Sequence, residues 1–284
     1  MRLEIGLLLL NLLYFVDSSV ISKDRYHKAV GIKKFNSIMG LESGLRIVGG
    51  TQVSNIDAHP HQAGIVVTLT SGWTSVCGGA LVSTTRVLTA AHCWWDGQSQ
   101  ARQFVIVLGS LLLFSGGTRI TTTDVTVHPN WNTNDITHDI AVVRIPAVTI
   151  SNNIQAIALP SVSDVNQDFA GLTAIATGYG KTSDAQNSFP PTTTLHNINL
   201  IIMTNAECQK SFDTTLHGSH LCTHGKGGVG TCDGDSGGPL TIVRNNRRTL
   251  VGIVSFGLGD GCQAGYPSVY TRVTAFLTWI QANL

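Results

Sequence analysis

The feature that most constrains this chain is its cysteines: Cys77, Cys93, Cys208, Cys222, Cys232 and Cys262, all after residue 47. An even count over so long a stretch predicts three disulfides formed in an oxidising compartment. Such staples hold a body together by restricting its unfolded chain. Spacing alone does not choose the partners. No two cysteines stand as CxxC, so a zinc cluster is not expected, and no metal or cofactor is.

The N-terminus agrees with that compartment. Arg2 supplies a positive start, and Ile5 to Val16 is almost wholly apolar. This run is too short to span a bilayer comfortably. Ser18 and Ser19 follow it, so residues 1–18 are expected to be a secretory signal peptide. Residues 19–46 lack cysteine, carry scattered basic residues and end in Leu45-Arg46, just before Ile47-Val48-Gly49-Gly50. They are expected to be a propeptide processed after Arg46. Residues 1–46 hold seven Lys/Arg against four Asp/Glu, and the remainder eleven against thirteen, so the leader is basic and the body mildly acidic. A formal net charge of +1 gives no reason to expect nucleic-acid or membrane-surface binding. With 43% hydrophobic and 12% charged residues, a solvated disordered polymer is excluded.

From residue 47 the pattern is β-rich. Short apolar runs recur at Phe104–Leu108, Ile140–Ile145, Leu172–Ala176, Ile198–Met203, Leu250–Val254 and Val269–Val273, set off by Gly, Ser, Thr and Asn. Many short strands with frequent turn signals predict an all-β sandwich or barrel. Two helices interrupt it. Thr204 with Glu207 three residues later reads as a capping box. Val273, Phe276, Leu277 and Ile280 recur at i, i+3, i+4 and i+7, one apolar helix face.

The richest chemical signal is Gly230-Thr231-Cys232-Asp233-Gly234-Asp235-Ser236-Gly237-Gly238-Pro239. Glycines on both sides of Ser236 permit left-handed backbone and close approach of a substrate. Successive N–H groups in such a turn can form an anion-binding nest, as an oxyanion hole requires. A serine alone is a weak nucleophile and needs a base. Thr89-Ala90-Ala91-His92-Cys93 offers a histidine beside a cysteine, and His138-Asp139-Ile140-Ala141 places an aspartate at the start of an apolar run. A carboxylate there is costly unless hydrogen-bonded, so it should have a dedicated partner.

IVGG at 47, TAAHC at 89, DIA at 139, GDSGGP at 234 and SFG at 255, in this order, resemble the chymotrypsin family of serine proteases over residues 47–284. The chain also resembles insect digestive chymotrypsins. The resemblance implies two packed six-stranded antiparallel β-barrels, a short intermediate helix and a C-terminal helix. The barrels would span about 47–155 and 160–272, and the helix about 273–283. It makes Ser236 the nucleophile, His92 the general base and Asp139 its orienting group, with an oxyanion hole from the N–H groups of Gly234 and Ser236. Ser255 would support Asp139. The implied disulfides are Cys77–Cys93, Cys208–Cys222 and Cys232–Cys262. Cleavage after Arg46 would free the Ile47 amino group to pair with Asp235. Ser75 stands where vertebrate chymotrypsinogen has the histidine that holds this aspartate.

The same resemblance implies a primary pocket with Gly230 and Thr231 at its floor, Ser255, Phe256 and Gly257 along its wall and Ser268 further back. A deep neutral pocket suits Phe, Tyr, Trp, Leu or Met. An elastase-like or collagenolytic protease of broad specificity is the alternative, and a non-catalytic binding homologue a further one. Expected partners are protein or peptide substrates, an activating trypsin-like protease and protein protease inhibitors. The chain is expected to act as a secreted monomer, in a gut lumen on the digestive reading. His59, His61 and His128 are expected to be structural or exposed. Trp94 and Trp95 should pack or edge the cleft, and Leu111–Phe114 should make a loop or strand contact. Asp233 could line the cleft mouth.

Overall fold

The computed structural model describes residues 26–27 and 47–284. The expected signal peptide (1–18) and the expected propeptide (19–46, Arg46 included), apart from Tyr26 and His27, lie outside the described residues.

Each of the six apolar runs supplies strand residues, with Ile140, Ile145, Leu172 and Val273 just outside, because Val-, Ile- and Thr-rich segments suit a pleated, half-buried surface. Fourteen strands form two sheets. The first contains β2 (Gln62–Leu69), β3 (Thr74–Ser83), β4 (Arg86–Thr89), β5 (Ala101–Leu108), β6 (Thr118–Thr122), β7 (Val125–Val127) and β8 (Ala141–Arg144). Their order is β6-β5-β2-β3-β4-β8-β7. The second contains β1 (Thr51–Gln52), β9 (Thr173–Gly178), β10 (His196–Met203), β11 (His220–Thr223), β12 (Pro239–Arg244), β13 (Arg247–Phe256) and β14 (Ser268–Arg272), in the order β1-β10-β11-β14-β13-β12-β9. Here β9 also pairs with β10, closing six strands into a barrel, and β1 adds at its edge. The first sheet counts seven strands because Thr123 and Asp124 break one bent segment into β6 and β7. These two pieces pair with opposite ends of the sheet, β5 and β8.

Each sheet encloses its own apolar cluster. Ile65, Val67, Phe104 and Ile106 are fully buried in the first, and Leu221, Leu240, Val251 and Tyr270 in the second. The halves meet through backbone as well as side chains. Gly78 N–H donates to the Ser236 carbonyl at 2.7 Å. A Cβ on Gly78 would stand 2.8 Å from the Gly238 Cα, so the seam needs glycine there.

The intermediate helix α1 (Asn205–Cys208) starts where Thr204 Oγ1 accepts the Glu207 N–H at 3.2 Å. After β14 the chain makes a 3₁₀ turn (Val273–Phe276) and the helix α2 (Leu277–Ala282). Val273, Phe276, Leu277 and Ile280 are all buried in the apolar cluster of the first sheet. The last helix therefore crosses from the second sheet to cover the first. Disulfides join Cys77 to Cys93, Cys208 to Cys222 and Cys232 to Cys262.

Ile280→Ala should destabilise the protein by about 2–5 kcal/mol, the cost of a buried cavity in an aliphatic core. A urea unfolding midpoint equal to that of the parent chain would contradict this docking.

Candidate active site

His92 sits in a 3₁₀ turn (Ala91–Cys93) directly after β4, and the bridged Cys93 pins that turn to β3 through Cys77. Asp139 lies two residues before β8 begins at Ala141. The residue before it, His138, has φ 59°, and the Ile140 N–H closes back on the His138 carbonyl at 2.8 Å. A left-handed non-glycine residue is strained, and here it aims the carboxylate inward.

Asp139 is 1% exposed. Its Oδ1 accepts the His92 backbone N–H at 2.9 Å. Its Oδ2 lies 2.7 Å from His92 Nδ1 and accepts the Ser255 hydroxyl at 2.6 Å. Thr271 Oγ1 donates to its main-chain carbonyl at 2.7 Å. These bonds make burial of the carboxylate tolerable. A proton on Nδ1 facing Asp139 leaves His92 Nε2 as an acceptor. That Nε2 is buried and makes no hydrogen bond.

Ser236 follows a tight turn in which the Asp235 N–H bonds to Cys232 O and the Gly238 N–H to Asp235 O. Gly234 and Gly237 have φ 93° and 80°. A Cβ on Gly234 would lie 2.6 Å from the Phe189 ring, so no other residue fits without rearrangement. Among the described residues, neither the Gly234 nor the Ser236 N–H donates to a backbone carbonyl.

Beneath this turn Asp235 is 1% exposed. It accepts the Gly180 N–H at 2.8 Å and the Cys232 N–H at 2.9 Å. No cation pairs with it among the described residues. Burial, with Asp233 adding to it, raises its carboxyl from 3.8 to about 7 against the two hydrogen bonds. Gly180 has to be small, since a Cβ there would come 2.5 Å from the Asp235 carboxyl carbon. Ile47 is fully buried nearby in the second cluster, and the Val48 carbonyl accepts the Gly230 N–H at 3.2 Å. Ser75 is buried with an unpaired hydroxyl and makes no bond to Asp235.

His92 and Ser236 line one cleft of about 960 Å³ together with Thr231, Ser255, Phe256, Gly257 and Ser268. At its floor the Thr231 N–H donates to Ser268 Oγ at 3.3 Å, and a Cβ on Gly230 would sit 2.8 Å from that oxygen. Phe256 packs edge-on against Phe212 and His220. A Cβ on Gly257 would meet nothing within 4 Å.

Several cleft residues carry no sequence signal. Lys181 Nζ pairs with Asp233 Oδ2 at 2.7 Å, and Asp96, Asp184 and Tyr26 also line the cleft. Only the glycines around Tyr179 hinted that this loop approaches another backbone. His59, His61 and His128 are buried outside the cleft, and burial lowers the first two to about 4 and about 3. Trp94 packs edge-on against Phe104, while Trp95 is more exposed. Leu111 and Phe114 pack on a third apolar cluster that includes Leu113. His217, His220 and His224 have a ligand-like spacing. His220 is already committed: its Nε2 lies 3.1 Å from the Ile136 carbonyl, and its Nδ1 accepts the His217 N–H at 3.1 Å.

A protein-family model described as Trypsin matches residues 47–280. The chain belongs to the trypsin family of serine endopeptidases. It is 40% identical over 242 residues to brachyurin of Leptuca pugilator, covering 84% of this chain and 98% of that protein. Collagenase of Hypoderma lineatum is 33% identical over 247 residues, covering 87% and 90%. A solved structure of HL collagenase superposes with a TM-score of 0.75 at 32% identity, covering 84% of this chain and 98% of its own. No helix among the described residues of this trypsin-family chain is long and apolar enough to cross a membrane.

The raised Asp235 carboxyl sets a pH dependence. The folded state holds a proton that the unfolded state releases, so stability from this group is full below about 4 and is lost as pH rises through about 7. In the uncut chain, the difference in denaturation midpoint between parent and Asp235→Asn should therefore shift towards the variant across that window. A difference that stays flat from pH 4 to pH 8 would refute the assignment.

Proposed function

We propose that this chain is the zymogen of a secreted serine endopeptidase with Ser236 as nucleophile, His92 as general base and Asp139 as its orienting partner. The observation that supports this most directly is the hydrogen-bonded run Ser255–Asp139–His92, which leaves an unpaired Nε2 in the cleft that Ser236 also lines. Ser236 Oγ attacks the scissile carbonyl as its proton passes to His92 Nε2. Buried Asp139 stabilises the imidazolium, and the Gly234 and Ser236 N–H groups hold the oxyanion. The imidazolium then protonates the leaving amine. Water, activated by the same base, hydrolyses the ester at Ser236.

Activation is cleavage after Arg46. It creates an ammonium at Ile47, a residue already buried, while Asp235 is a buried carboxyl without a cation. Their pairing would fix the turn that carries Gly234 and Ser236.

The pocket favours large apolar or aromatic residues before the scissile bond. Gly230 and Ser268 give it no charge, and Gly257 leaves it open. A broader, collagenolytic action is the second reading, favoured by the name collagenase that a curated relative and a solved structure carry. The natural setting we propose is digestion in a gut lumen, by a monomer exposed to protein inhibitors.

On a panel of para-nitroanilides, the chain cut after Arg46 should prefer Phe, Tyr, Leu or Met. Ser236→Ala should lower kcat by about 10⁴ or more. Gly257→Val should cut turnover of aromatic substrates about tenfold or more, and that of Ala substrates less. Dominant cleavage after Lys or Arg would overturn the specificity, and full activity in Ser236→Ala would overturn the mechanism.

A further inference from the structure

We propose that the cleft wall between Val76 and Asp96 is a docking site for Tyr26-His27, so that the pro-segment caps His92 and Ser236 directly in the uncut chain. The inference rests on the reading of residues 19–46 as a propeptide, and it names the site that this segment occupies.

Tyr26 and His27 lie far from the site in sequence and inside it in space. The Tyr26 hydroxyl donates to the Val76 carbonyl on β3, and Cys77 Sγ lies 3.5 Å from the phenol oxygen. Its ring meets the His92 ring edge-on, with centroids 4.5 Å apart at 61°. Ser236 and the Gly234 backbone lie close enough to the phenol to favour its ionisation, while burial outweighs them and keeps it protonated. Tyr26 thus covers the imidazole that should take a proton, the hydroxyl that should attack and one of the two N–H groups that should hold the oxyanion.

His27 fixes the second point. Its backbone N–H donates to Asp96 Oδ2 at 2.9 Å, and its side chain is 1% exposed. Asp96 is held in place by its own loop, since its Oδ1 accepts the Gln98 N–H at 2.9 Å and the Ser99 N–H at 2.7 Å. The anchor is therefore preorganised, and the docking pair brings no charge of its own into the cleft. A peptide substrate cannot place its scissile bond where the phenol lies. Cleavage after Arg46 turns an intramolecular contact into a bimolecular one and removes its effective concentration, on the order of millimolar for a short tether. This gives the chain a latch independent of Asp235, in a sequence that has Ser75 at the position of the vertebrate zymogen histidine.

The test compares uncut parent chain with uncut Tyr26→Ala, using a fluorophosphonate that labels Ser236. The variant should label about tenfold faster or more, the gain expected when a largely closed site opens. Equal rates overturn the proposal. After cleavage at Arg46 and removal of the peptide, both chains should label alike. Failure of both cut chains to label would sink the protease reading rather than the docking. The docking is read separately by NMR in uncut Ser236→Ala, from the His92 Nδ1 proton held by Asp139. Tyr26→Ala should move that resonance by removing the adjacent ring, and an unmoved resonance overturns the contact.

Discussion

One buried carboxylate ties the molecule together. Asp139 reaches His92 on the first sheet and is reached by Ser255 and Thr271 on the second. Charge inside a protein is costly unless every lone pair is answered. The donors that answer these lone pairs come from both barrels, so the carboxylate is satisfied only when the barrels are correctly seated. The strained left-handed turn at His138 is the local cost of aiming it.

The seam around that carboxylate is narrow because it is built from backbone. Gly78, Gly237 and Gly238 let β3 and the Ser236 turn approach until main-chain groups bond directly. Gly178 and Gly180 instead make room for the Asp235 carboxyl. Small residues here are a steric necessity, and they leave the polar side chains to carry the chemistry. The same closeness explains why Asp235 is dry enough to hold a proton near neutrality.

What could be read from the sequence was what lies in continuous stretches. The six apolar runs became strands, and the apolar face at Val273, Phe276, Leu277 and Ile280 became a docked helix end. Period and propensity are local properties, and local properties survive in a one-dimensional text. The strand count was less legible, because the break at Thr123 and Asp124 is a bend in one extended segment without a turn motif. Contacts across long gaps were hidden wherever the family motifs did not name both partners. Lys181 with Asp233, Gly180 with Asp235 and Tyr26 with His92 depend on where loops come to rest. His220 has a ligand-like spacing to His217 and His224, yet its imidazole is already spent on Ile136 and His217.

The two halves also exchange arms. Strand β1, from the start of the described body, pairs with β10 of the second barrel, while the C-terminal helix leaves the second barrel to cover the first. Neither half can peel away without releasing a strap that belongs to the other. A shear between barrels large enough to part His92 from Ser236 must therefore undo both straps at once. The cleft then behaves as a joint locked from two sides rather than a hinge, and its geometry fails cooperatively or not at all.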